Sequence, residues 1–491
     1  MHKTSASFGQ TISYSEGTVI LSEVISALTF ALDLTENAVP GHSLRTCLLG
    51  MRLAEAIGLP ADDLTDLYYA LLLKDIGCAD HVTRLSRIMG DGERGPGTLN
   101  GWAGDLVSNP LLLERVWREV LPGVPLPSDI GRLAGLEARL GIDGTGVAEN
   151  EEHRGAETMR HLSMSEGSIH AVAYINERWD GTGTPAGLRG EAIPRLARIC
   201  AVAQTLDAFA TEHGAETALR MLRTRRGTWF DPELVRAAQI LHTTGRLWPQ
   251  CQARDVEATR AEVLRLDPGV STPLTSDRVD RICEAFGNVV DAKSPFTYHH
   301  SLGVTEVAVS IATELQLPHE RISLVRRAAF LHDIGKLAVP NRILDKRGRL
   351  DAREWAIITR HPRISGSILE RVSAFRELAS LAAEHHERLD GSGYPLGLKA
   401  DQLSLESRVI AMADCYSAMA ENRPYRPGLD PRDILLEIGR DVPAKFDPVC
   451  FDALQVSVLR WNASMPLALG RRDVRSDAGG DSRLPALSLT A

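Results

Sequence analysis

The chain has 491 residues, of which 44% are hydrophobic and 24% charged, and a formal net charge of -9. This is a globular composition with length for roughly two to four domains, and its acidity argues against holding a nucleic-acid polymer or an anionic membrane by bulk charge. Seven cysteines without a CxxC pair exclude a disulfide framework and zinc-finger spacing, and fit a reducing cytosol.

The opening MHKTSASFGQ lacks an apolar signal core, and no run of about 18 apolar residues follows, so no membrane span and a cytoplasmic location are expected. Leu44, Leu48, Met51 and Ala54 step by three and four, the period of an amphipathic helix. The segment from Asp91 to Gly146, rich in Gly, Pro and Asp with helical pieces such as LLLERVWREV, reads as an insertion. ARDVEATRAEVLRL (Ala253 to Leu266) reads as a connecting helix, and Val304, Val307, Ile311 and Leu315 repeat the helical step. After Met465 the chain turns to GRRDVRSDAGGDSR, a polar tail expected to be disordered. Alternating β-branched patterns are scarce, so the predicted fold class is all-α.

Blocks of sequence recur. GHSLRT (Gly41 to Thr46) resembles HHSLGV (His299 to Val304), and LKDIGC (Leu73 to Cys78) resembles LHDIGK (Leu331 to Lys336), both 258 positions apart. ERWDGTGTPAGL (Glu177 to Leu188) matches ERLDGSGYPLGL (Glu387 to Leu398) at 210 positions, and FDPEL (Phe230 to Leu234) matches FDPVC (Phe446 to Cys450) at 216. Four blocks in one order indicate a duplication, and the falling spacing gives the first copy about 50 extra residues after LKDIGC. The predicted organisation is a first copy over 14–242 with its insertion near 91–146, a linker over 243–274, a second copy over 275–463 and a tail over 464–491.

The second copy concentrates metal-ligand residue types: His300, His332, Asp333, His361, His385, His386 and Asp414. A lone helical histidine is ordinarily a core or surface residue. Here Leu378, Leu381 and His385 share one helix face, and Ile410, Asp414 and Ser417 share another, so His385 and Asp414 point inward. A buried carboxylate needs a partner or a metal. Histidines and carboxylates without thiolates suit Fe, Mn, Zn, Ni or Co. Seven candidates exceed one metal's needs, so two metals bridged by a carboxylate are expected, about 3.5–4 Å apart, a geometry suited to in-line attack at phosphorus.

These residues sit in motifs that resemble the HD-GYP domain, a subgroup of the HD phosphohydrolase superfamily: HHSLGV, LHDIGKLAVPNRIL, RHPRISGSIL, EHHERLDGSGYP and MADCYSAMAENRPYR, in family order from His300 to Pro448. The resemblance implies two HD-type helical-bundle domains joined by a helical linker. It implies that His300, His332, Asp333, His361, His385, His386 and Asp414 are the metal ligands, with Asp333 the bridge and two divalent transition metals, Fe or Mn first, as cofactors. It places Asp333 and Lys336 in catalysis, Lys336 against the substrate phosphate, and Arg388, Gly393, Tyr394 and Pro395 in the signature loop beside the substrate. Arg423 and Arg426 join them as candidates for phosphate or guanine binding, with an exposed solubilising role equally open. The implied activity is cyclic di-GMP hydrolysis. Protein partners at the Gly-Tyr-Pro loop and a homodimer stay open.

Two positions depart from the family pattern. Members with three metals carry a glutamate one turn before the first histidine; here Phe296 stands there, so two metals are expected. The second aspartate of the motif around Asp414 is Ser417, which weakens the support expected behind the ligands.

The first copy reads His42, Lys74, Asp75, His153, Ile175, Asn176 and Gln204 at the ligand positions, with Cys78 for the phosphate-contacting lysine and Thr184 for the signature tyrosine. Lys74 has no lone pair to offer while protonated and could stand in for a metal as a fixed charge beside Asp75. This copy is expected to be catalytically inactive. Its ERWDGTGTP block then either shapes a loop the fold needs or binds a regulatory nucleotide or partner. Cys78 and Cys200 read as buried small residues. Alternatives to the phosphodiesterase are a non-enzymatic cyclic-dinucleotide receptor or scaffold, and a phosphohydrolase of another nucleotide.

Overall fold

The structure is a computed structural model, described over residues 19–34, 40–77, 155–251, 255–269, 273–294, 299–346, 348–421 and 427–464. Among these residues the elements are α-helices and short 3-10 turns, joined only by isolated bridges, so the fold is all-α as expected. The insertion near 91–146, Cys78, His153, Phe296, Arg423, Arg426 and the chain after 464 lie outside the described residues.

Each half is a helical bundle. The first contains α1 (Leu21–Asp33), α2 (His42–Ala56), α3 (Ala61–Leu73), α4 (Glu166–Ala173), α5 (Arg195–His213), α6 (Ala215–Thr224) and α7 (Pro232–Thr243). The helix α8 (Val256–Arg265) follows. The second half contains α9 (Ser276–Asp291), α10 (His300–Glu314), α11 (His319–Leu331), α12 (Asn341–Leu344), α13 (Ala352–Ile358), α14 (His361–Leu369), α15 (Arg376–Glu384), α16 (Leu405–Ala420), α17 (Pro431–Arg440) and α18 (Pro448–Ser464).

The two halves start alike. Asp33, the last residue of α1, accepts from the backbone N–H groups of Gly41 (3.0 Å) and Ser43 (3.1 Å), and Asp291, the last residue of α9, accepts from that of Ser301 (2.9 Å). A carboxylate at a helix N-terminus satisfies orphan amides and complements the dipole. It fixes where α2 and α10 begin, and therefore where His42 and His300 stand. α2 then packs between α3 and α5, and α10 between α11 and α16. Leu44, Leu48, Met51 and Ala54 are all buried, as are Val304, Val307 and Ile311, each large one contributing about 1.5–3 kcal/mol of hydrophobic stabilisation.

α8 does not merely connect. Asp255 caps it by accepting from Ala258 N (2.9 Å), Val263 is fully buried, and the Tyr68 hydroxyl donates to the Val263 carbonyl (3.1 Å), so it docks on the first half. The two halves meet across α1, which packs on α14 and on the 3-10 helix Ile334–Ala338. Arg260 on α8 donates to the Arg371 carbonyl (2.8 Å), Ser373 N donates to Glu23 (2.7 Å), and the Arg371 guanidinium lies over Phe30 and pairs with Glu257.

Candidate metal centre

Four helix ends and one helix middle converge in the second half. His300 opens α10, His332 and Asp333 follow α11, His361 opens α14, His385 and His386 follow α15, and Asp414 sits within α16. The 3-10 turn after Asp333 can approach α14 only because position 335 is glycine: a Cβ there would lie 2.1 Å from the His361 carbonyl oxygen. Ser365 staples the two segments, accepting from Gly335 N (2.9 Å) and donating to the His332 carbonyl (2.6 Å).

Asp333 is central. Its Oδ2 lies 3.2 Å from His332 Nε2 and 3.6 Å from His300 Nε2, and its Oδ1 lies 3.2 Å from His361 Nε2 and 3.7 Å from His385 Nε2. Asp414 spans the same two groups, with Oδ1 3.3 Å from His300 Nε2 and Oδ2 3.6 Å from His386 Nδ1. Two triads whose ligand atoms could hold a cation result: His300, His332 and Asp333, and His361, His385 and His386.

The ring tautomers are fixed from behind. His332, His361 and His385 each place Nδ1 2.7 Å from a backbone carbonyl, of Ala329, Ile358 and Ala382. A carbonyl only accepts, so Nδ1 carries the proton and Nε2 turns its lone pair inward. His300 Nδ1 instead faces Glu421 Oε1 at 2.8 Å. Among the described residues, His300 Nε2, His332 Nε2 and Asp333 Oδ1 are buried with no hydrogen-bond partner. A buried polar atom ordinarily finds a partner, and these three lie in one cluster of imidazoles and carboxylates, as atoms arranged around a cation do. The donor set therefore fits a metal.

The electrostatics agree. Burial first, and then the neighbouring imidazoles, push His385 and His386 well below the usual histidine range. Burial would raise Asp333 and Asp414, but histidines (with Lys336, for Asp333) outweigh it and hold both well below the usual carboxylate range. Burial would lower His300, yet Asp414 and Glu421 outweigh it and raise its pKa to about 9. Ionised carboxylates among imidazoles are the form that binds divalent cations, which displace such protons.

Lys336 places Nζ 2.5 Å from Asp333 Oδ2 at the edge of this cluster. The signature loop closes over the other side. A Cβ at Gly393 would lie 2.4 Å from the Glu387 Cα, so only glycine fits there. The Tyr394 ring lies over His386 (4.7 Å between centroids) and meets the edge of Trp355 (5.9 Å), and a cis peptide joins Tyr394 to Pro395. Arg388 points elsewhere: its guanidinium lies over Phe446 and donates to the Glu387 carbonyl (2.9 Å), which anchors the loop.

Sequence reasoning passed over four carboxylates. Glu421 supports His300 from 121 residues away. Buried Glu387 accepts from Leu396 N (2.7 Å) and Leu398 N (2.9 Å), clamping the signature loop. In the first half Glu177 does the same to Ala186 N (2.7 Å) and Leu188 N (2.9 Å), and Gly183 has the same close backbone approach as Gly393. The retained ERWDGTGTP block thus has a structural reason. The fourth is Asp207, bonded to His42 Nδ1 (2.7 Å) and to buried Arg45 (2.7 and 3.0 Å). For the two clamps the available signal was the repeat of Glu177 and Glu387 at 210 positions; Glu421 and Asp207 have no such repeat.

Elsewhere in the first half Lys74 is buried against Asp75, and Ile175 is buried without a ligand atom. Cys200 is fully buried, and burial pushes its thiol up to about 12, so it is the inert small residue expected.

The HD domain profile matches residues 147–234 and 284–449. A 3'3'-cGAMP-specific phosphodiesterase 3 of Vibrio cholerae is 35% identical over 453 residues, which cover 90% of this chain and 96% of that protein. The chain belongs to the HD domain family. Other relatives match less of it: a cyclic di-GMP phosphodiesterase of Pseudomonas aeruginosa is 34% identical over 45% of this chain and 56% of its own length. Among solved structures, the crystal structure of the cyclic GMP-AMP-specific phosphodiesterase V-cGAP3 of V. cholerae superposes with a TM-score of 0.62 at 33% identity, covering 92% of this chain and 99% of that one. The HD-GYP motifs of the second half and the all-helical fold agree with these relatives, which are cyclic-dinucleotide phosphodiesterases. Among the described residues no helix is long and apolar enough to cross a membrane.

Proposed function

We propose that this HD-family protein is a metal-dependent phosphodiesterase that opens 3'3'-cyclic dinucleotides at a dinuclear centre in its second half. The observation that carries this reading is the position of Asp333, with one carboxylate oxygen toward His300 and His332, the other toward His361 and His385, and Lys336 at its edge. Divalent cations, Fe or Mn first, would be held by His300, His332, Asp333, His361, His385, His386 and Asp414. When bound, such cations supply Lewis acidity toward a phosphate oxygen and make water acidic enough to attack at neutral pH.

The chain's own groups do the rest. Lys336 neutralises charge that develops on the phosphate. Tyr394 and Trp355 offer a ring wall beside His386 for a base or ribose. Gly393 and Pro395 shape that wall, and Arg388 holds the loop in place.

The relative that aligns along both halves is named for 3'3'-cGAMP, which puts that substrate ahead of the cyclic di-GMP expected from the motifs. Relatives named for cyclic di-GMP that match part of the chain keep the second substrate open. The first half, 14–242, is proposed to be an inactive copy joined through 243–274 to the active one at 275–463, since Lys74 and Ile175 replace ligands there. The test is hydrolysis of 3'3'-cGAMP, cyclic di-GMP and cyclic di-AMP by Mn- or Fe-loaded protein, with Asp333→Ala as control. Turnover surviving Asp333→Ala would remove the dinuclear reading, and tight binding without turnover in metal-replete protein would favour a receptor.

A further inference from the structure

The chain carries its own control for the residue behind His300. In the first half His42 Nδ1 is held by Asp207 Oδ2 at 2.7 Å, and Asp207 is in turn held by Arg45. The position equivalent to Asp207 is Ser417, 210 residues on, and the position equivalent to Arg45 is Gly303, 258 residues on. These two are neighbours in the second half as well: the atom nearest to a Cβ built on Gly303 is Ser417 Oγ, at 3.9 Å. Both members of the ion pair have therefore been exchanged for small residues. Ser417 Oγ is buried and has no hydrogen-bond partner among the described residues.

His300 is still supported. One helical turn beyond Ser417, Glu421 brings Oε1 to 2.8 Å from His300 Nδ1. Glu421 is the C-cap residue of α16, where a carboxylate opposes the helix dipole. An acid placed against that local preference needs a compensating contact, and His300 supplies it. The other inward-pointing histidines with a bonded Nδ1, His332, His361 and His385, lean on backbone carbonyls, which no side-chain exchange can remove. His300 alone of these depends on a side chain.

We infer that Glu421 is the positioning residue of the candidate metal centre, having taken over, one turn along α16, the role that Asp207 keeps in the first half. This rests on the reading of His300 as a metal ligand. Outer carboxylates of this kind hold the ring orientation and raise ligand basicity.

The experiment is Mn(II) titration of the full chain, followed by bound-metal analysis after dialysis, with melting temperature recorded for each variant. Glu421→Ala is expected to weaken metal binding by about 10- to 100-fold at an unchanged melting temperature of the metal-free protein. Ser417→Asp/Glu421→Ala, which restores the carboxylate at the Asp207-equivalent position, is expected to recover binding to within about threefold. Glu421→Gln keeps the volume and an acceptor oxygen and covers the case in which alanine disturbs the helix end. A rise of about three- to tenfold in Kd is expected for it, and none would overturn the proposal. Wild-type affinity in Glu421→Ala, or a double variant as weak as the single one, also overturns it. His300→Ala separates the two levels: unchanged metal binding there removes the reading of His300 as a ligand, whereas weakened binding there beside an unaffected Glu421→Ala removes only this inference.

Discussion

Lys74 buries its ammonium against the carboxylate of Asp75, at the position where the second half sets His332 beside Asp333. Arg45 does the same for Asp207. Two protein cations thus neutralise Asp75 and Asp207, where the second half presents two triads of candidate metal ligands. We propose that the first half folds without metal.

Lys74→Met leaves Asp75 beside Asp33 without its ammonium. Removing one partner of a buried ion pair costs about 3–5 kcal/mol. Denaturant unfolding of the variant is expected to show a loss of that size, with the metal content of the chain unchanged. A variant as stable as the wild type would contradict the substitution of lysine for metal.

The two loop clamps separate structure from activity. Glu387→Ala frees the amides of Leu396 and Leu398 and lets Tyr394 drift from His386, so kcat/KM is expected to fall about tenfold or more. Glu177→Ala removes the matching clamp in the first half and is expected to lower the melting temperature with kcat/KM held within about twofold. Steady-state kinetics on both variants checks the pair, and equal losses would contradict it.

Lys336→Ala takes away the ammonium at the edge of the cluster. Turnover is expected to fall about 100- to 1000-fold, with bound metal retained, because the lysine acts on phosphate charge. Loss of metal together with turnover would make Lys336 a support for Asp333 instead.

Acid stability has a named source. Burial alone would raise the Asp207 carboxyl, but His42 and Arg45 outweigh it and hold it below the usual range. A carboxyl whose folded pKa is depressed stabilises above its unfolded pKa, about 4, and loses that contribution as pH falls through the folded value. Asp207→Asn is therefore expected to be less stable than wild type at pH 7 and to lose less stability below about pH 4. Parallel acid limbs for the two proteins would contradict this.

The helices and the cluster of histidines and aspartates were legible because both follow local pattern: a period of three and four residues for Leu44, Leu48 and Met51, and contiguous motifs for His332 and Asp333. Glu421 was not, because its partner His300 is brought to it only by the packing of α10 on α16. The Arg45–Asp207 pair was hidden for the same reason: neither residue is a histidine, and their meaning lies in a contact across 162 residues. Arg388 shows a different limit. Its motif marks the loop, but its rotamer, over Phe446, is a matter of tertiary packing.

The most direct test of the central claim is metal analysis and 3'3'-cGAMP hydrolysis on the same sample, for wild type and Asp333→Asn. The account predicts about two divalent metals per wild-type chain and linear product, with both metal and turnover lost in the variant. Sustained hydrolysis by metal-stripped protein, or by Asp333→Asn, would contradict it.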